Sequence, residues 1–187
     1  MSPNSLPEHT IMHAFYARLD QFLVATGLEG STSGLGCFEV EVAAQEQAYG
    51  VQFPLAYRLF LQWCGRATLK SLDQDFQLAF LDYYWDSARE LLTENQATLE
   101  PGGFVFSEWQ GYNFWYLLLG SDNPLVKLCI IKSDSEPGLV YHEYGRFTDW
   151  LISQLKTMVQ LRQSLGSIDV QVPVVWAELD QIAQLAG

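Results

Sequence analysis

The chain has 187 residues, 49% of them apolar and 14% aromatic, which is enough for one sizeable core without metal or disulfide staples. Twenty-two acids against ten Lys and Arg leave a formal charge of -12, a field that repels phosphate backbones and anionic lipid and so argues against nucleic acid or a membrane as partner. The same charge serves simple solubility, or suits a basic protein partner.

Residues 1 to 9 read as a flexible lead-in, with Pro3 and Pro7 and little apolar content. Ile11, Phe15, Leu19, Phe22 and Leu23 recur at helical spacing, so a first helix is expected from a Thr10 cap to just before Gly27. The glycines of EGSTSGLG, Glu29 to Gly36, follow no strand and lack the Lys of a phosphate-binding loop, so the segment reads as a plain loop. Val40 to Tyr49 predicts a helix ending at Gly50. Pro54 suits the first turn of another, with Leu55, Leu59 and Trp63 on one face and Gly65 as its stop. The aromatic run QLAFLDYYW, 77 to 85, reads as a strand, and Ser87 to Glu90 has capping-box spacing for a helix reaching about Ala97.

Beyond Pro101-Gly102-Gly103 the period changes. Strands are expected at Phe104 to Phe106, Tyr112 to Leu119, Val126 to Ile131 and Leu139 to Tyr144, joined by linkers short enough to favour antiparallel pairing. The nearly continuous aromatic run from Tyr112 predicts an interior strand covered on both faces, with Phe104, Phe106, Tyr112, Phe114 and Tyr116 holding the sheet to the helices. A closing helix follows from Phe147 to Leu161. Residues 163 to 187 read as a C-terminal extension packed on the domain, extended over Val170 to Val175 and helical from Trp176 to Leu185. The whole predicts an α+β fold: N-terminal helices, a central, mainly antiparallel meander and a closing helix, in one domain over 10 to 162.

Little in the sequence marks out a catalytic or metal centre. His9 and His13 stand four apart but supply two ligands where a zinc site needs more. His142 and Glu143 are neighbours on a strand and so point to opposite faces. Glu108 beside Trp109 fits one half of a glycosidase-like carboxylate pair, but no second carboxylate can be named, so a hydrolase ranks last among the functions considered. Cys37, Cys64 and Cys129 lie far apart, cannot all pair, and read as reduced, buried side chains. The opening residues lack a basic leader and no run of about 18 apolar residues occurs, so the cytoplasm is the expected compartment. No cofactor is called for.

Charge distribution carries more information. Asp73, Asp75, Asp82, Asp86, Glu90, Glu94 and Glu100 form an acidic segment opposed only by Arg89. Asp82, Asp86, Glu90 and Glu94, with Glu108 and Trp109 at the expected hairpin turn, are the candidate partner-binding residues. Either Trp109 anchors an interface or it folds back onto the core.

Glu46, Gly50, Pro54, Tyr57, Phe60, Leu61 and Gly65, in EQAYGVQFPLAYRLFLQWCG, resemble the E-x3-G-x3-P-x2-Y-x2-F-L-x3-G opening of the SUKH superfamily. That group holds the yeast cell-wall regulators of the Smi-Knr type and many bacterial immunity proteins. The order continues through the WQGYNFWY hairpin with Gly111 and through the closing helix with Phe147, Trp150 and Leu151, so the resemblance runs from about Phe38 to Leu155. It departs at Trp63-Cys64-Gly65-Arg66, where the family usually has Asn or Gly neighbours, and in the added terminal segments. The resemblance implies a non-enzymatic protein-binding domain, most often one that neutralises a basic toxin of the nuclease or deaminase type. The alternative is a housekeeping scaffold or regulator in an endogenous complex.

Overall fold

The computed structural model describes residues 7–29, 32–67, 69, 72, 76–132, 138–166 and 171–186. Three helices come first: α1 (Glu8–Ala25), α2 (Glu39–Tyr49) and α3 (Leu55–Cys64). A 3-10 turn (Leu78–Phe80) leads into α4 (Leu81–Glu94). The strands β1 (Gly103–Trp109), β2 (Asn113–Leu118), β3 (Leu125–Ile131) and β4 (Leu139–Arg146) form an antiparallel meander in the order β1-β2-β3-β4, followed by α5 (Phe147–Ser164) and α6 (Val172–Ala183). The fold is α+β, as the element pattern predicts.

One aromatic cluster joins sheet and helices. Phe106 of β1 meets Trp150 of α5 edge-on at 5.2 Å and Tyr57 of α3 at 5.7 Å, while Phe60 meets Phe147 at 5.4 Å. Trp115 of β2 lies 5.6 Å from Trp150, which identifies the sheet face that α5 covers. Tyr57, Phe60, Phe106, Phe147 and Trp150 are completely buried, each contributing about 1.5–3 kcal/mol by burial, so the motif aromatics act as core. Glu46 joins α2 to α3. Its Oε1 accepts the Phe53 backbone N–H at 2.8 Å and its Oε2 accepts from Arg58, which also bonds Glu39. Gly50 closes α2 in the left-handed region at φ 64.

Several local expectations are corrected. Residues 77 to 85 are not a strand: Leu78, Leu81, Tyr84, Ala88, Leu91 and Leu92 are all buried, a helical repeat that outweighs the β preference of the aromatics. Ser87 therefore sits inside α4 rather than capping a helix. Thr10 lies in the first turn of α1, where the Pro7 carbonyl accepts from the Thr10 N–H at 2.8 Å. Gly65 ends α3 with a right-handed φ of −74, so left-handed freedom does not explain it. Space does: a Cβ there would stand 2.6 Å from the Leu61 carbonyl oxygen and 2.9 Å from Cys37 Sγ. The segment 172 to 175 is helical, with Pro173 in the first turn of α6; Val170 lies outside the described residues. Tyr112 belongs to the hairpin turn and is 63% exposed, so it is not core. β2 and β3 are interior strands whereas β1 is an edge of the sheet, so the 104 to 120 hairpin is only half central.

α6 packs on α5 and α1. Val175, Leu179 and Ile182 are buried there, and Asn123 donates to Thr148 Oγ1 at 2.9 Å and to the Ala186 carbonyl at 3.5 Å. Among the described residues no helix is long and apolar enough to cross a membrane.

Candidate partner-binding surface

α4 is amphipathic in the strict sense. One face buries Leu81, Tyr84, Ala88, Leu91 and Leu92, and the opposite face exposes Asp82, Asp86, Glu90 and Glu94 at intervals of four residues. Four carboxylates at that spacing form one ridge, and each adjacent like-charge pair costs the helix a few tenths of a kcal/mol. Internal compensation is confined to the N-terminal half. Asp82 accepts from the Tyr49 hydroxyl at 2.6 Å and lies in the first helical turn, where the helix dipole favours it. Asp86 pairs with Arg89 at 2.8 Å, an exposed contact. Among the described residues no hydrogen bond or ion pair holds Glu90 or Glu94. Burial, reinforced by Asp82, pushes the Tyr49 hydroxyl well above its usual range.

The hairpin tip joins this ridge through a β-bulge. Val105 pairs with Tyr116 and Ser107 with Trp115, so Phe106 is an extra residue in β1. Beyond it the alternation is inverted: Glu108 pairs with Phe114 and Trp109 with Asn113. The bulge thereby lets Glu108 meet α4, where Ser87 Oγ donates to its Oε2 at 3.2 Å. The Gly111 N–H donates to the same oxygen at 2.9 Å, and the Glu108 charge raises the pKa of the Tyr83 hydroxyl. Gln110 and Gly111 both have positive φ, 50 and 74, as a tight hairpin turn requires, and Tyr112 N–H donates to the Trp109 carbonyl at 3.0 Å. Glu108 is thus engaged in holding the turn against α4.

The proposed site residues divide accordingly. Asp82, Asp86, Glu90 and Glu94 fall on one exposed ridge, and Glu108 anchors the neighbouring turn. Trp109 is half-buried at the end of β1. Glu100 does not extend the ridge: Lys127 Nζ at 2.8 Å and the Tyr116 hydroxyl at 2.6 Å hold its carboxyl below the usual carboxylate range. Asp73 and Asp75 lie outside the described residues. Sequence reasoning missed two aromatics on this surface. Tyr83 is 56% exposed beside Asp82, and Tyr112 stands exposed beside Gly111. A helical reading of 81 to 94 would have exposed Tyr83; the turn glycine at 111 was the available signal for Tyr112.

Elsewhere, the His9 and His13 rings lie 4.4 Å apart, and no group of three or more His, Cys, Asp or Glu capable of holding a metal occurs among the described residues. Cys37, Cys64 and Cys129 are free and buried. Burial pushes the Cys37 and Cys129 thiols up to about 11 and Cys64 well above its usual value. Comparison with known families matches the model described as the SMI1 / KNR4 family (SUKH-1) to residues 36–153. No curated protein and no solved structure matches the chain.

Proposed function

The chain belongs to the SMI1 / KNR4 family (SUKH-1), and from that premise we propose a non-catalytic protein-binding domain, an immunity protein that neutralises a cognate basic toxin of the nuclease or deaminase type by direct binding. One observation carries the reading: the exposed ridge of Asp82, Asp86, Glu90 and Glu94, whose last two members have no hydrogen-bond or ion-pair partner among the described residues, with Tyr83 exposed on the same helix and Tyr112 on the hairpin turn. A helix face that concentrates one sign of charge at a cost to itself suits a cationic surface from outside. Exposed tyrosines beside it supply rigid contact area with few rotatable bonds. A basic substrate groove of the kind that binds phosphate backbones has the complementary field. Binding and encounter both take place in the cytoplasm in this reading.

The test is capture from the native lysate at low and high salt, with wild type and the Glu90→Lys/Glu94→Lys variant compared in parallel. The reading expects a basic, toxin-like protein that wild type retains, the variant loses, and salt releases. Equal capture of an endogenous complex by both proteins, unaffected by salt, would overturn it in favour of a scaffold.

A further inference from the structure

A groove of about 590 Å³ lies between α1, the loop at 32 to 38 and the C-terminal half of α3. One wall of it, α1, lies entirely outside the family match at residues 36–153, so the groove is a feature of this chain's own extension. We propose that the groove receives an arginine side chain from a protein partner. This rests on the chain being a binder of basic proteins but uses a surface separate from α4.

The recognising group is Asp20, near the end of α1. Its Oδ1 accepts the Trp63 indole N–H at 2.9 Å and the Thr32 hydroxyl, two bonds that fix the carboxylate. Among the described residues no Lys or Arg pairs with it, and both donors sit on the same oxygen. A half-buried carboxylate whose two donors share Oδ1 has lone pairs left on Oδ2 for an incoming cation. One flat wall lies beside it: the half-buried Trp63 ring, packed 5.7 Å from the buried Tyr16 ring, lines the groove. At the rim, the Arg66 guanidinium stacks 3.9 Å from the Phe38 ring centroid and is neutralised by Glu41 at 2.7 Å. That pair is an internal example of the proposed chemistry, guanidinium on an aromatic face with a carboxylate at its edge, and among the described residues it leaves Asp20 without a cation.

Arginine fits better than the other candidates. A guanidinium donates to Oδ2 while its plane lies against the indole. An ammonium satisfies the charge but not the flat wall, and an anion is repelled by Asp20.

The test follows the Trp63 indole N–H signal in proton–nitrogen spectra during titration with Nα-acetyl-arginine amide. Wild type should give a saturable shift. Asp20→Asn retains an acceptor for Trp63 and Thr32 but removes the charge, and should weaken the response about tenfold, as should Nα-acetyl-lysine amide in place of the arginine probe. Glu90→Lys should leave the titration unchanged. No saturable shift in wild type, an equal response in Asp20→Asn, or equal binding of the lysine probe would overturn the inference. Because the probe needs no toxin, failure here with partner capture still lost in the α4 variant condemns the groove alone. A saturable arginine site with no salt-sensitive capture condemns the reading of the ridge instead.

Discussion

Replacing Glu46 with alanine should be among the most destabilising single changes at a polar residue of this protein. Its carboxylate accepts the backbone N–H of Phe53, a residue 3% exposed, at 2.8 Å, and it also pairs with Arg58, whose side chain is 21% exposed. Removing the acceptor leaves a buried N–H unsatisfied, at a cost of about 1–3 kcal/mol. The ion pair adds less, about 1 kcal/mol, because Arg58 retains Glu39 and some contact with water. The sum is about 2–4 kcal/mol, and a protein of this size loses about 2–4 °C in Tm per kcal/mol. Glu46→Gln keeps an oxygen for Phe53 and forfeits only the charge, so it should cost less than half as much. Urea denaturation followed by tryptophan fluorescence measures both. A Glu46→Ala loss below about 0.5 kcal/mol, or a Gln variant as damaged as the Ala variant, would refute the assignment of Glu46 as the acceptor that ties α2 to the start of α3.

Glu90→Lys turns two like-charge i,i+4 pairs into opposite-charge pairs, so urea denaturation should show a gain of about 0.5–1 kcal/mol while partner capture falls; a loss of stability would contradict the ridge geometry. Lys127 and the Tyr116 hydroxyl depress the Glu100 pKa in the folded state, so this group's contribution is complete at neutral pH and disappears as pH falls from about 4.3 through the depressed value. Glu100→Gln should accordingly flatten the acid limb of the stability curve measured from pH 6 to pH 3, and an unchanged limb would exclude the contact. Cys37 and Cys129, buried with thiols pushed up to about 11, and Cys64, pushed higher, should resist a chromogenic disulfide reagent at pH 8 in the native state and all react in denaturant. Rapid labelling of any one in the native protein would show that its cover opens readily.

Legibility followed the range of the interactions. α1, α2, α3, α5 and all four strands were visible because one residue's burial is repeated two, three or four positions on, within the reach of a periodic pattern. Residues 77 to 85 were misread because Phe80, Tyr83, Tyr84 and Trp85 favour strands locally, while the helical burial that decides the matter becomes apparent only through Leu92. The bulge at Phe106 leaves no mark in composition, yet it determines which side of β1 carries Glu108. The Asp20 groove was beyond reach as well. It depends on the loop at Gly36 lying against the end of α3, where a Cβ would come within 1.7 Å of the Gln62 carbonyl oxygen, and on Cys37 N–H donating to the Leu61 carbonyl at 2.8 Å. Contacts between segments twenty or more residues apart have no periodic signature.

α1 supplies Met12, Phe15, Tyr16, Leu19, Phe22 and Leu23 to the core, and the buried Tyr16 hydroxyl donates to the Ala56 carbonyl at 2.7 Å in the first turn of α3. The stretch that the family match covers and the stretch that shares one buried core are therefore different lengths in this protein. Trimming the chain to residues 36–153 would remove α1 and α6 and cut α5 after Ser153, with its buried Leu155 and Val159, leaving α3 a sticky helical surface with a buried carbonyl opened to solvent. Such a fragment should aggregate rather than bind. Homology boundaries here mark shared ancestry, whereas the packed core extends through the terminal helices on both sides.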